Sequence, residues 1–133
     1  MTAVAKKPKP NPVIGVGQPG LIRLNLFGRI VDEVFGTMPY LVGSAARGKQ
    51  WRDVDVRLIL TDEEYRQWCG EPARPEWVNP RWSGLCLAFA TLGREMTGLP
   101  VDFQIQTMAM ANELFGGEVR VPLGLALASG ARP

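Results

Sequence analysis

The sequence contains no histidine, and this absence removes several kinds of chemistry at once. Ser-His and Cys-His nucleophile pairs, a general-base imidazole and a His-ligated zinc site are all excluded. The two cysteines, Cys69 and Cys86, lie outside any C-x-x-C pattern, and we expect them to be buried structural thiols of a protein in a reducing compartment. Catalysis by this chain would therefore depend on carboxylates, Lys and Arg side chains, hydroxyl groups, or a metal ion held by oxygen.

Long apolar runs and a strong net charge are also missing. No stretch of about 18 apolar residues is present, so no membrane span is predicted, and the N-terminus has no apolar region typical of a secretory signal. The formal net charge is +2; Lys6, Lys7 and Lys9 contribute +3, which leaves −1 for the rest of the chain. This balance argues against a uniformly basic domain that coats nucleic acid, and we expect a cytoplasmic protein.

The length of 133 residues, with 46% hydrophobic and 21% charged residues, predicts one globular domain. Residues 1–12 combine lysines with prolines and are expected to form a disordered basic tail. We assign residues 13–125 to the domain and residues 126–133 to a frayed C-terminal tail.

Gly15, Gly17 and Gly20 form a G-x-G-x-x-G sequence. A dinucleotide-binding fingerprint needs a buried strand before the first glycine, and only Val13 and Ile14 stand between Pro12 and Gly15. A glycine-rich turn that leads into a helix is therefore favoured, with a Rossmann-like dinucleotide binder as the weaker alternative.

Hydrophobic periodicity predicts a small mixed β-sheet with helices packed on it, an α/β (α+β) fold. The predicted helical segments, including one that starts with a Thr61–Glu64 capping box, are 20–35, 45–49, 61–65, 83–96 and 108–115. The predicted strands are 40–42, 53–60 and 100–107, with one edge strand in the C-terminal segment. Residues 68–82 are predicted to be an irregular connection, whose tryptophans either fill the core and cover a sheet edge or stack on a base.

Three carboxylates in the predicted strands form the most informative pattern. Asp53 and Asp55 are two residues apart, so on a strand both side chains point the same way, about 7 Å apart along the backbone. Asp102 lies in a later strand, and if that strand is adjacent, all three carboxylates converge. Such a cluster repels itself unless cations neutralise it, and Mg²⁺ or Mn²⁺ suits its oxygen donors. The alternative is a solvated strand end whose acids pair with Arg52 and Arg57, which form a basic cluster around the acids together with Arg47 and Lys49.

The Gly43-Ser44 turn precedes the acidic strand and could supply hydrogen-bond donors to a phosphate group. Glycine at position 43 lets the backbone approach a phosphate closely, and the Ser44 hydroxyl and the following amides can donate hydrogen bonds to phosphate oxygens. Arg47 could neutralise the charge of a triphosphate, and Gly48 would permit the bend toward the acidic strand.

These residues together resemble the signature of the nucleotidyltransferase-fold (polymerase-β-like) superfamily, in particular its minimal single-domain members of the MNT antitoxin type. The likeness covers residues 20–107, and its matching segments are 41–48, 53–56 and 101–103. It implies that Asp53, Asp55 and Asp102 bind two divalent metal ions and that the turn at 43–44, flanked by Arg47 and Gly48, holds the triphosphate.

The resemblance implies a transferase that moves a nucleoside monophosphate from ATP or another NTP to a hydroxyl of an RNA, a protein or a small molecule. Two departures motivate an alternative: the spacer before Asp53 is shorter than in minimal members, and Arg52 stands where they commonly carry serine. The alternative is an inactive interaction module that kept the fold. Larger relatives build the surface for the acceptor from an additional helical domain; here a partner protein, a second copy or the tryptophan-rich connection at 68–82 could supply it.

Overall fold

A computed structural model describes residues 15–48 and 50–124 of the chain. The predicted tails at 1–12 and 126–133 lie outside the described residues. None of the described helices is both long enough and apolar enough to cross a bilayer.

The described chain forms helices and strands in mixed order, close to the predicted boundaries. The helices are α1 (Gly20–Phe35), α2 (Gly43–Ala46), α3 (Asp62–Cys69), α4 (Pro80–Thr97) and α5 (Met108–Phe115). The strands are β1 (Tyr40–Val42), β2 (Val54–Leu60), β3 (Val101–Thr107) and β4 (Val121–Pro122). The connection predicted to be irregular between 68 and 82 is shorter than expected, and it contains a 3₁₀ turn at Glu76–Val78.

The four strands form one mixed sheet in the order β3-β2-β1-β4. Strand β1 runs antiparallel to β2 and β4, whereas β2 and β3 are parallel neighbours. Two parallel strands need a crossover connection, and here α3 and α4 supply it. The α/β class with a small mixed sheet is therefore confirmed.

Helix boundaries follow the local signals in the sequence. Helix α1 ends at Gly36, whose φ of 76° is the left-handed conformation that favours glycine. Helix α3 begins with the predicted capping box, in which the Thr61 hydroxyl accepts from the Glu64 N–H and the Glu64 carboxylate accepts from the Thr61 N–H. Helix α4 begins three residues earlier than predicted, because the Asn79 side chain caps it and Pro80 occupies its first turn.

The hydrophobic core lies between the sheet and helices α1 and α4. Phe103 of β3 makes an edge-to-face contact with Phe27 of α1 and a tilted ring contact with Phe89 of α4. The spacing of apolar residues predicts one stripe on α1, and all of its members except Val34 are buried in this core: Leu24, Phe27, Val31 and Phe35. Val34 is 45% exposed, because the buried face of the helix turns toward Phe35 instead.

Tyr65 gives a stability prediction, because its side chain is fully buried and its hydroxyl has no hydrogen-bond partner within the described residues. Burial of an unpaired hydroxyl costs free energy, and burial also raises the pKa of Tyr65 to about 12. We expect Tyr65→Phe to raise the free energy of unfolding by about 1 kcal/mol, measured by urea denaturation. A loss of stability in this variant would show that the hydroxyl has a partner.

The two thiols are buried and free, as predicted. Desolvation raises the pKa of Cys69 to about 11 and that of Cys86 to about 12, so very little thiolate forms near pH 8. We expect a disulfide reagent such as DTNB to react with both thiols only when the protein is unfolded by urea. Rapid labelling of the native protein at pH 8 would contradict this placement.

Candidate functional site

The acidic strand β2 has one face in the core and one face directed away from it. Val54, Val56 and Leu58 are fully buried in the core, while Asp55 and Arg57 alternate with them and therefore point to the opposite face. The predicted period-two alternation is confirmed.

Strand β3 brings the third predicted acid beside the second. Asp55 and Asp102 are direct partners in the parallel register of β2 and β3, so their side chains project from the same face of the sheet. Asp53 precedes the first residue of β2 and is exposed. Its charge nevertheless reaches Asp55, since it contributes to that residue's pKa.

Arg57 lies against both paired acids. One guanidinium nitrogen, Nη2, is 3.3 Å from Asp102 Oδ2 and 3.7 Å from Asp55 Oδ1. The other, Nη1, donates to the backbone carbonyls of Asp102 at 2.7 Å and Val56 at 3.0 Å. The Arg57 side chain is only 7% exposed, so the two acids share a buried, well-anchored cation.

The pKa of the Asp55 carboxyl reflects its partial burial and the charged side chains around it. Partial burial raises the pKa of its carboxyl, the Arg57 guanidinium opposes this rise, and the charges of Asp102 and Asp53 add to it. Because two neighbouring carboxylates disfavour ionisation of Asp55, further positive charge at this place would be favourable.

The Gly43-Ser44 turn lies directly beside Asp55. Val42, the last residue of β1, is the register partner of Asp55, and Gly43 follows with a φ of 74°. The positive φ favours glycine at position 43, and a Cβ atom there would come within 2.5 Å of Asp55 Oδ2 and displace that carboxylate. Ser44 is half-buried at the start of α2, within this turn.

Arg47 and Gly48, which were expected to flank the triphosphate-binding turn, differ in how well they match that expectation. Arg47 forms an ion pair with Glu118, so in this arrangement its charge is directed to a side chain distant in sequence. Gly48 is exposed and has a φ of 73°, which suits the bend expected there. Lys49, included in the basic cluster around the acids, lies outside the described residues.

The glycine-rich segment before α1 packs against the same turn. The Gly15 N–H donates to the Ala45 carbonyl at 2.7 Å, and the Gly15 carbonyl accepts from Trp51 Nε1 at 3.1 Å. A Cβ at position 15 would come within 2.9 Å of the Trp51 ring. These contacts give Gly15 a packing role; Val13 and Ile14, on which the dinucleotide alternative depends, lie outside the described residues.

Asp55 and Asp102 present carboxylate oxygens, the donors that a hard divalent cation prefers, on the same face of the sheet. Among the described residues, no group of three or more carboxylate or thiol side chains is arranged to hold a metal ion. Mg²⁺, however, is usually held by one or two protein carboxylates, and substrate phosphates complete its coordination. The paired acids and the adjoining turn meet that requirement, with Arg57 as a competing cation.

Three features of this region go beyond the sequence-based predictions or differ from them. Pairing of the acids with Arg57 was one predicted alternative, but its simultaneous contact with Asp55 and Asp102 depends on the β2–β3 register. Glu118 carries no local signal as the partner of Arg47. Alternation along β3 predicts Gln104 and Gln106 on the same outward face as Asp102, but Gln106 is 1% exposed, because α5 follows β3 without a loop and packs on β2 and β3.

A groove of about 210 Å³ lies between α4 and β3, and its lining includes Asp102, Gln104, Ser83 and Arg94. Another cavity of about 210 Å³ lies at the opposite end of the two parallel strands, beside Thr107.

Comparison with known proteins identifies no relative: no protein-family model, curated protein or solved structure matches this chain significantly.

Proposed function

We propose that this protein is a nucleotidyltransferase, which transfers a nucleoside monophosphate from an NTP to a hydroxyl acceptor and releases pyrophosphate. The observation that carries the proposal is the pairing of Asp55 with Asp102 on neighbouring strands, with the Gly43 backbone in contact range of the Asp55 carboxylate. Residues 43 and 55 are separated in sequence, and the antiparallel pairing of β1 with β2 brings them together.

In the proposed reaction, Asp55 and Asp102 would hold Mg²⁺ or Mn²⁺, with Asp53 beside them. When bound, the cation would supply positive charge to offset that of the phosphates, of the attacking hydroxyl oxygen and of the leaving pyrophosphate. The turn binds the triphosphate: the Ser44 hydroxyl donates a hydrogen bond to a phosphate oxygen, and the backbone at Gly43 lies close to the phosphate. Arg57 holds Asp102 and Asp55 in place, and its charge limits their mutual repulsion.

The test uses the full chain with each labelled NTP, with Mg²⁺ or Mn²⁺, and with RNA, protein and small-molecule hydroxyl acceptors in separate reactions. We expect pyrophosphate release and a labelled acceptor with at least one nucleotide, and both should stop when EDTA is added. If every NTP stays intact in all of these reactions, the enzymatic proposal is wrong.

A second candidate function is an interaction module without turnover, and Arg57 favours it specifically. Its guanidinium already supplies one positive charge to Asp55 and Asp102, so part of the charge of the acidic pair is offset without a metal ion. This candidate predicts binding of a protein partner that is unaffected by EDTA and by the double substitution Asp53→Ala/Asp55→Ala. A pull-down with the wild-type chain and the double variant, together with the NTP assay, separates the two functions.

A further inference from the structure

An acidic residue, Glu118, lies beside the proposed triphosphate-binding turn, on the side away from Asp55. Strand β4 pairs antiparallel with β1 in a register that sets Leu41 opposite Val121. In an antiparallel pair, each step back along one strand is a step forward along the other, so this register, continued, brings Glu118 level with Ser44. Strand β2, which carries Asp55, lies on the other side of β1. The turn therefore runs between two acidic residues.

The Glu118 side chain forms an ion pair with Arg47, the residue that follows α2. The sequence predicts that Arg47 neutralises the charge of a triphosphate, so Glu118 holds the same guanidinium that the phosphates would use. The two side chains are 35% and 36% exposed, and ion pairs at this exposure are weak because solvent screens them. A carboxylate held so weakly is readily exchanged for an anion of higher charge.

We propose that Glu118 is a positioning residue that competes with the triphosphate for Arg47. Its carboxylate holds the Arg47 guanidinium until a nucleotide enters the turn, and the triphosphate then displaces it. The triphosphate is favoured in this exchange, because it carries several negative charges and because hydrogen bonds from a guanidinium to phosphate are charge-assisted and often bidentate. Glu118 therefore lowers the affinity for the NTP. This inference rests on the proposed function, which assigns the turn to a triphosphate.

The test measures the binding of inorganic tripolyphosphate in the presence of Mg²⁺ by isothermal titration calorimetry, since this probe requires neither a particular base nor turnover. We expect Glu118→Gln to lower the Kd about three- to fivefold, because glutamine cannot hold Arg47 as an ion pair. Arg47→Gln should raise the Kd about tenfold. The matched control is Glu113→Gln on the exposed surface of α5, beside the cavity at the opposite end of the parallel strands, and it should leave the Kd unchanged.

A double-mutant cycle shows whether Glu118 acts through Arg47. With Arg47 already replaced by glutamine, Glu118→Gln should change the Kd by about twofold or less, because only a screened charge is then removed. In the NTP assay, Glu118→Gln is expected to lower KM and to leave kcat unchanged, since it alters binding of the triphosphate and not the reaction that follows.

A purely structural role for Glu118 gives a different result. If the ion pair only ties the segment after α5 to the turn, Glu118→Gln should lower the thermal midpoint, followed by circular dichroism, and leave the Kd unchanged. That result would overturn the inference, as would an equal effect of Glu118→Gln with and without Arg47, or no binding of tripolyphosphate to either the wild type or Glu118→Gln. If every NTP stays intact but the coupling between Glu118 and Arg47 is found, the inference holds and only the enzymatic proposal is wrong.

Discussion

Asp55→Asn is expected to lower nucleotidyl transfer by a factor of about 100 to 1,000 while leaving the fold intact. Asparagine has nearly the same shape as aspartate but carries no charge, so a hard cation loses one of its two paired carboxylates. The structural cost should be small, since Arg57 keeps its contact with Asp102 and its two backbone carbonyl acceptors. The measurement is the initial rate of pyrophosphate release at saturating NTP and Mg²⁺.

A matched control for Asp55→Asn is Asp62→Asn, which makes the same chemical change at the exposed first turn of α3. Asp62 follows the far end of β2, so we expect its replacement to leave the rate unchanged. Asp102→Asn, in contrast, should reproduce the defect of Asp55→Asn. Equal rates for the wild type and for both site variants would remove the acidic pair from the reaction.

Gly43→Ala is expected to destabilise the protein by about 2 kcal/mol or more, and also to impair the site. The substitution adds a Cβ to a residue with a φ of 74°, where non-glycine residues are strained. It also brings that Cβ to within 2.5 Å of Asp55 Oδ2, so the carboxylate has to move. Equilibrium urea unfolding measures the first effect, and the NTP assay measures the second.

The control for Gly43→Ala is Gly36→Ala at the C-terminal end of α1. Gly36 has a similar φ of 76°, but within residues 15–48 and 50–124 no other side chain or backbone segment lies within 4 Å of the position where its Cβ would be. This variant therefore isolates the conformational strain, expected to be about 1 kcal/mol, from the clash with Asp55. If the two variants lose the same stability and both keep full activity, the close approach of the turn to Asp55 has no consequence.

Much of the fold could be predicted because local patterns fix it. The alternation of β2, the limits of α1 and α5, and the Thr61–Glu64 capping box each depend on residues only a few positions apart. The earlier start of α4 was also available locally, since Asn79-Pro80 combines a good capping residue with a proline suited to a first turn.

The candidate site was predictable only in part, because its geometry depends on long-range pairing. Sequence spacing placed Asp53 and Asp55 together, but only the β2–β3 register makes Asp102 the direct neighbour of Asp55. Pairing of the acids with Arg57 was a predicted alternative, but only this register makes Arg57 a shared partner of Asp55 and Asp102. The ion pair of Arg47 with Glu118 likewise depends on how the segment after α5 returns to the turn.

Strand β3 lies at one edge of the sheet, and α4 covers the backbone of that edge. Trp82 Nε1 donates to the Ile105 carbonyl at 2.8 Å, and Arg94 Nε donates to the Val101 carbonyl at 3.0 Å. An edge whose carbonyl groups are already bonded is a poor template for another strand. Because of these two side chains, the protein can keep an apolar, β-prone segment at its margin without recruiting further chains into an intermolecular sheet.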